Sequence, residues 1–429
     1  RPVWRRTYPA GSLASNITGY VGEISENELR QMEGRNYVAG DLVGKNGIER
    51  QYEETLRGTP GEESVEVDAR GRKVKTIHVR TAGKGQDLRL TLDLGAQRLA
   101  ADLMKGYRGA IVVMDVENGD IIVLYSSPSY DNNPLAWGVS TREWDALLND
   151  PERPMHDRSI GGQYPPASTF KPLVGIAALE EKAVLLTTTH YCPGSIAVGN
   201  RTFRCWKRSG HGTMNILTAL QESCDVYFYQ VGLKLGIAKL LKWCTMFGLG
   251  SPTGLDLPGE SSGVTAGPDW KKARLKENWY HGDTVNYSIG QGFLLMTPVQ
   301  LARLYAALAN GGRLVRPRLS LSRDVIFETL MINRKNLDVV RRGLDFVVRK
   351  GTGRRAGSFG IAVAGKTGTA QNPHGEDHAL FAGYAPIDSP RYVAVAIIEE
   401  GLHGSSVASP MVGEILSYLL VPEARGKTP

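Results

Sequence analysis

What this chain has little of narrows it first. No apolar run in its 429 residues approaches the ~18–20 that a membrane helix needs, and its start does not read as a signal peptide. It begins Arg1-Pro2-Val3-Trp4, taken as a trimmed end, so an anchor ahead of it stays open. Four cysteines, Cys192, Cys205, Cys224 and Cys244, are too few and too uneven for a disulfide-built scaffold. No aromatic-basic module points to nucleic acid, and there is no internal repeat or low-complexity segment. Neither charge sign dominates: 51 basic and 44 acidic residues leave +7. The surplus gathers at Arg1, Arg5 and Arg6 and between Arg341 and Arg355. Such a surplus is ordinarily a solvated surface; the functional alternative is attraction to an anionic membrane or polymer.

What is present in quantity is glycine, 50 residues, which favours turns and close backbone approach. Residues 1–85 are polar and Gly-rich, with a hairpin expected from Val65 to Val79 around Gly71. This region is expected to be a small, non-catalytic β-containing module. From residue 86 to 429 the pattern changes. Leu88, Leu90 and Leu92 alternate with polar residues, predicting a strand, and Asp93 caps a helix carrying Ala96, Leu99, Ala100 and Leu103 on one face. Ala110–Val116 and Ile121–Leu124 flank Asn118-Gly119 as a hairpin. Residues 126–165 read as loop. Helices are expected from Ser168 to about Glu181 and over 214–222, 226–235, 237–247, 298–309 and 409–420, and strands over Ile361–Ala364, Ala379–Ala385 and Tyr392–Ile398. Strands, then helices, then strands and a helix predict one α/β domain (α+β in class) whose sheet gathers distant segments.

Three short motifs carry the chemistry: Ser168-Thr169-Phe170-Lys171, Ser223-Cys224-Asp225 and Lys366-Thr367-Gly368-Thr369. Each alone is a common helix cap, helix junction or strand end; together they are a parts list for acyl transfer through a serine ester. Lys171 lies three residues after Ser168, on the same helical face, so its amine can reach the hydroxyl. Pro172 is tolerated only in a first turn, which places Ser168 near the helix N-terminus. A lysine titrates near ~10.4, and acting as a base near neutrality needs a drop of roughly 3 units, which burial and a second cation such as Lys366 could supply. Ser223 is a candidate proton relay, and Asp225 a candidate acceptor for the substrate backbone. Lys366 and Gly368 face one side of a strand, Thr367 and Thr369 the other; Gly368 would let a substrate approach. The backbone N–H groups of Ser168 and Thr369 are candidate oxyanion-hole donors.

Two rival motifs fail on context. Gly360 to Thr367 matches G-x-x-x-x-G-K-T, but a phosphate loop needs a helix after the lysine, and Thr367-Gly368-Thr369-Ala370-Gln371-Asn372-Pro373 cannot start one. Asn286-Tyr287-Ser288-Ile289-Gly290 has Asn where a nucleophile elbow needs glycine, so Ser288 is expected to be structural.

The trio, its order and its spacing resemble the penicillin-binding proteins and serine β-lactamases. Tyr164 to Lys171, Tyr287 to Gly292 and Lys366 to Ala370 resemble class B penicillin-binding proteins, as do Gly47 to Glu53 and Arg89 to Asp93 outside the core. Asp225, where the family commonly has Asn, resembles its elongation branch, as do Tyr37 to Gly44 and Trp137 to Ser140. The resemblance implies a penicillin-binding transpeptidase fold, with an antiparallel sheet and helices, on an N-terminal pedestal. It implies a peptidoglycan D,D-transpeptidase: Ser168 attacks the D-Ala-D-Ala carbonyl of a stem peptide, Lys171 is the base, and Lys366 with Thr367 or Thr369 holds the terminal carboxylate. β-Lactams would trap Ser168, and no cofactor is required for catalysis. The implied setting is extracytoplasmic, at the inner membrane, with an anchor preceding residue 1 and a membrane glycosyltransferase as partner. The alternatives are a serine β-lactamase or carboxypeptidase, although no E-x-x-L-N motif is present, and a non-catalytic β-lactam sensor.

Cys192, Cys205, His211 and Cys224 follow the spacing C-x12-C-x5-H-x12-C. They form a candidate tetrahedral zinc set that would brace Ser223 and Asp225. An oxidising compartment favours instead a Cys192–Cys205 disulfide, and three unlinked thiols are the third option. Cys244, on a face with Leu240, Leu241 and Phe247, is expected in the core.

Overall fold

The computed structural model describes residues 5–421, so Arg1 lies outside the described residues. The organising element is a five-stranded antiparallel sheet. The expected hairpin supplies β1 (Gly109–Asp115) and β2 (Ile121–Ser127); β3 (Ala364–Ala370), β4 (His378–Ala385) and β5 (Tyr392–Ile398) come from the C-terminal third. The order is β3-β4-β5-β1-β2, so the Lys366 motif forms an edge strand.

Residue alternation explains the layers. Ile111, Val113, Ala394 and Ala396 pack on one face with α1 (Leu94–Leu103) and α6 (Ala408–Leu420). Val112, Met114, Val393 and Val395 face the larger core, which holds α2 (Lys171–Glu180), α3 (Asp225–Leu235) and α4 (Pro298–Ala309). Asp93 caps α1 by accepting from Ala96 N, as expected. Thr297 and Gln300 form a capping box on α4, which has Pro298 in its first turn.

Several expectations need correction. Ile361–Val363 is not strand: β3 begins at Ala364 and carries the motif itself, because Lys366 to Thr369 pair with Ala382 to Ala379. The Leu88–Leu92 alternation yields a single bridge, Leu90 to Ser320, instead of a strand; these leucines rest on the core without a continuous partner. The loop-like stretch contains helices Asn133–Trp137 and Thr141–Leu148, the second capped by a Ser140–Glu143 box. An amphipathic helix, α5 (Arg334–Arg349), buries Leu337, Val340, Leu344 and Val347 and runs into the stretch from Arg341 noted only for its charge.

The N-terminal part has the hairpin Glu62–Val67 and Lys73–Arg80. It is tied to the larger body by Tyr52, whose hydroxyl donates at 2.6 Å to buried Asp256; that carboxylate also accepts from Leu319 N and Ser320 N. Among the described residues no helix is long and apolar enough to cross a membrane.

Candidate active site

Ser168 sits in a 3-10 turn, Ala167–Phe170, immediately before α2, with Pro172 in the first turn of that helix. The turn is pinned from several sides. Ala167 has a left-handed φ of 49°, a conformation costly for an L residue. Its N–H donates to Gly290 O at 2.8 Å. A Cβ on Gly290 would lie 2.2 Å from Ala167 O, so only glycine permits this approach. Tyr305, on α4, donates to Thr169 O at 2.9 Å. Four residues upstream, Tyr164 donates to Glu399 at 2.8 Å, and buried Arg158 donates to the same oxygen at 3.0 Å. The serine is thus held by the central helix and by groups just past the end of β5.

The middle motif meets this turn. Ser223 also has a left-handed φ, 55°, and Asp225 opens α3. Lys171 is fully buried. Its Nζ donates to Asp225 Oδ1 at 2.7 Å, to Ser223 O at 2.9 Å and to Ser223 Oγ at 3.3 Å. Among the described residues no hydrogen bond joins Lys171 to Ser168; the lysine turns to the middle motif, where a carboxylate and two oxygens satisfy its three donors. Asp225 thus pairs with Lys171, its other oxygen accepts from Trp206 N at 2.9 Å, and the residue still lines the cleft.

The third motif supplies the facing wall. Lys366 is fully buried and donates to Thr367 O at 3.2 Å. Burial pushes its ammonium well below the usual lysine range, and the neighbouring Lys171 charge acts the same way. The proximity of the two lysines was expected. Gly368 lines the cleft, but its missing side chain makes room for the serine turn: a Cβ would lie 3.1 Å from Thr169 Cγ2 and 3.2 Å from Pro166 O. Gln291 Nε2 donates to Thr369 O at 3.3 Å. A strand residue's C=O and N–H point to the same side, so the Thr369 N–H faces the open edge. Thr367 Oγ1 is 2.8 Å from Thr352 Oγ1.

These parts surround one cavity of about 950 Å³, lined by Ser168, Ser223, Asp225, Thr367, Gly368 and Thr369, with both lysines buried out of its lining. Sequence reasoning missed Trp206, Gln291 and Thr352. Gln291 lay inside a quoted motif; Trp206 had a signal only in its place after Cys205. Ser288 is buried, its hydroxyl donating to Val285 O at 2.7 Å, as a structural serine should.

Behind the Asp225 wall, the potential ligand atoms of Cys192, Cys205, His211 and Cys224 all lie within 4.8 Å of one another. His211 Nδ1 is 3.6 Å from Cys192 Sγ and 3.5 Å from Cys205 Sγ. Ordinary zinc bond lengths in a tetrahedron put sulfur and nitrogen about 3.6 Å apart, so the donor set fits. The closeness of the Cys205 and Cys224 thiols pushes the first down from the usual thiol range and the second up. All four cysteines are free thiols, so the structure holds no Cys192–Cys205 bridge. Cys244 is fully buried in the core.

A serine on a pinned turn, two buried lysines and an open strand edge around one cleft define a site of the acyl-transfer class. The family described as the penicillin-binding protein transpeptidase domain matches residues 109–417, and that described as the penicillin-binding protein dimerisation domain matches residues 1–90. The chain belongs to the penicillin-binding protein transpeptidase family. It is 37% identical to the peptidoglycan D,D-transpeptidase MrdA of Haemophilus influenzae over 98% of this chain and 70% of that one. Its fold is similar to penicillin-binding protein PBP2 of Helicobacter pylori in complex with MreC, with a TM-score of 0.90 and 35% identity, covering 97% of this chain and 79% of that one. It is also similar to Pseudomonas aeruginosa PBP2 in complex with WCK 5153, with a TM-score of 0.88 and 34% identity, covering 99% of this chain and 93% of that one.

Proposed function

We propose that this protein is a peptidoglycan D,D-transpeptidase of the cell-elongation type, working through an ester on Ser168. The observation that carries this reading is the convergence of Ser168, Ser223 and the β3 edge on one cleft above two buried lysines. The Ser168 hydroxyl attacks the carbonyl of the penultimate D-Ala, and Lys171, acting in its neutral amine form, takes its proton. The oxyanion is met by the Ser168 and Thr369 N–H groups. The proton returns through Ser223 to the departing D-Ala amine, leaving the ester. A second stem's amine then attacks that ester, forms the crosslink, and Ser168 regains its proton. Asp225 orients Lys171, while Lys366, Thr367 and Thr369 hold the terminal carboxylate.

Cys192, Cys205, His211 and Cys224 would hold a structural zinc. Bound there, it would supply rigidity and no step of the reaction. What it would brace is the segment from Cys205 to Trp206, whose N–H holds Asp225. Residues 1–85 would be a pedestal for partners in the elongation machinery, a membrane glycosyltransferase among them, with the cleft on the periplasmic side of an anchored protein.

The test is crosslinking of lipid-linked precursor strands by purified protein together with a polymerase. Dimeric muropeptides should form and disappear with Ser168→Ala. A sensor would bind fluorescent penicillin yet give no dimers, and a carboxypeptidase would release D-Ala without them; either result removes the reading.

A further inference from the structure

We propose that the dipeptide Glu399-Glu400, just past β5, is a clamp that sets the distance between the serine turn and the sheet, and with it the width of the oxyanion hole. Tyr164 and His378 are its two grips. All four are positioning residues that touch no reacting atom. This rests on the acyl-transfer reading above and adds to it what holds the two N–H donors at one spacing.

The two donors come from different elements: the Ser168 N–H from the turn before α2, the Thr369 N–H from β3. An oxyanion is met by both only when each lies about 2.7–3.1 Å from one point. The β3–β4 ladder fixes the strand, so the turn must be held against it. Glu399 and Glu400 reach both sides. On the serine side, Glu399 accepts from the Tyr164 hydroxyl at 2.8 Å, four residues before Ser168. On the sheet side, Glu400 N–H donates to His378 Nδ1 at 3.1 Å. His378 opens β4 opposite Ala370, beside the pair Thr369 and Ala379. The rings of Tyr164 and His378 meet edge to face, with centroids 5.7 Å apart.

The clamp is itself anchored. Glu399 N donates to Arg108 O at 2.8 Å, directly before β1. The Glu399 carboxylate also accepts from buried Arg158 at 3.0 Å, and Arg108 pairs with Glu400 at 2.5 Å. Arg158 is fixed in turn by Glu152 O and Arg153 O. Burial pushes the Tyr164 phenol well above its usual range and His378 below its own. The first therefore keeps a proton to donate, and the second keeps Nδ1 free to accept. Packing alone would need only the two rings. Two directed bonds to adjacent residues of one strand end fix a distance.

The test measures two steps on the purified chain with fluorescent penicillin: binding before acylation, and the acylation rate constant. A third reading is the affinity of phenylboronic acid. Its boron bonds to Ser168 Oγ, whose proton passes to Lys171, and the resulting tetrahedral boronate presents an oxygen to the oxyanion hole. Tyr164→Phe keeps the ring and loses the hydroxyl. His378→Leu removes the acceptor; His378→Asn also removes the ring but returns an acceptor near the Nδ1 position. A misplacement on the order of 1 Å can cost roughly a hundredfold. Tyr164→Phe and His378→Leu should therefore each slow acylation and weaken the boronic acid by about ten- to a hundredfold, leaving binding before acylation within about twofold. His378→Asn should restore both, which a fold defect from losing the ring would not allow. The double variant Tyr164→Phe with His378→Leu should fall no further than the worse single, because a clamp open at one grip no longer sets the width. Parent-like acylation in Tyr164→Phe would overturn the proposal. So would an Asn variant as slow as the Leu one, a loss confined to binding before acylation, or a double variant whose loss is the product of the singles. If penicillin does not esterify Ser168 in the unaltered protein, the acyl-transfer reading falls first and this inference with it.

Discussion

The two walls of the cleft are held by different kinds of bond. One is β3, paired along its whole length with β4 in an unbroken antiparallel register. Its backbone positions follow from the ladder, and no single side chain decides them. The other is the Ser223–Asp225 junction, which belongs to no sheet. Beyond two helix-end bonds, from Ser223 N to Leu220 O and from Cys224 N to Ala219 O, it is held by three contacts from Lys171, one N–H from Trp206 and the convergence of three cysteines and a histidine behind it. A wall made of side-chain contacts can be undone by one substitution; a wall made of backbone pairing resists it. The sheet wall supplies a fixed edge for the substrate, and the other wall supplies the groups that move protons.

The largest effect should follow from removing the partner that spans the second wall. Lys171→Met keeps length and loses charge, leaving Asp225 largely buried without its cation. Breaking a buried pair from one side costs about 3–5 kcal/mol. With side-chain exposures of 0% for Lys171 and 12% for Asp225, little solvent screening reduces that figure. Thermal melting should drop accordingly, and esterification of Ser168 by fluorescent penicillin should slow by at least about a hundredfold, as loss of a general base does. A variant that melts and reacts like the parent would show that Asp225 needs no partner there.

Next in size is Cys224→Ser. It disturbs the cluster and, through the chain from Cys205 to Trp206, the N–H that fixes Asp225. A misplacement on the order of 1 Å can cost roughly a hundredfold in rate, so acylation should slow by about ten- to a hundredfold while β3 keeps its structure. Elemental analysis and chelator treatment of the parent protein go with it. If zinc is present, its removal should reproduce the slow acylation; a protein with no metal that acylates normally leaves the cluster as plain thiols.

The difference between the walls also explains what the sequence disclosed. The three motifs, their nucleophile and both lysines are legible because each chemical role demands a residue type at a fixed spacing. The sheet was legible in pieces, from β-rich runs such as Tyr392–Ile398. The start of β3 was not, because pairing with β4 overrides the weak strand preference of Gly365, Lys366 and Gly368. The partner of Lys171 escaped for a different reason. Helical spacing places Ser168 and Lys171 on one face, but which oxygen the amine meets depends on how α2 and α3 pack, 52 to 54 residues apart in the chain. Trp206 acts through its backbone N–H, which no residue type announces. Helix α5 was legible, with Leu337, Val340, Leu344 and Val347 at helical spacing, and was passed over for its charge.

A pH profile tests the sheet wall from within. Lys366 is pushed well below the usual lysine range by burial, with Lys171 adding to the effect and Asp225 and Glu222 opposing it. The unfolded chain therefore holds that proton more tightly than the folded one. The resulting cost to stability is fully present below the lowered folded value and is relieved as pH rises toward ~10.4, the unfolded lysine value. Stability from this group rises with pH across that window. Lys366→Met removes the contribution, so its melting temperature should exceed the parent's by most at low pH, with the gap closing toward pH ~10. A gap that widens with pH would mean that Lys366 is charged and paired in the folded protein.

The smallest effect should come from Thr352→Val. Its hydroxyl meets Thr367 Oγ1 at 2.8 Å, so the substitution frees a hydroxyl on the sheet wall without moving the strand that carries it. A neutral hydrogen bond contributes about 0.5–1.5 kcal/mol, which converts to roughly a two- to tenfold change. The loss should fall on the binding of carboxylate-bearing β-lactams before acylation, since Thr367 is placed to hold that carboxylate, and the acylation rate constant itself should hardly change. Stopped-flow measurement of fluorescent penicillin separates the two constants. If Thr352→Val slows acylation as much as Cys224→Ser does, then β3 is positioned by side chains after all, and the two walls are held alike.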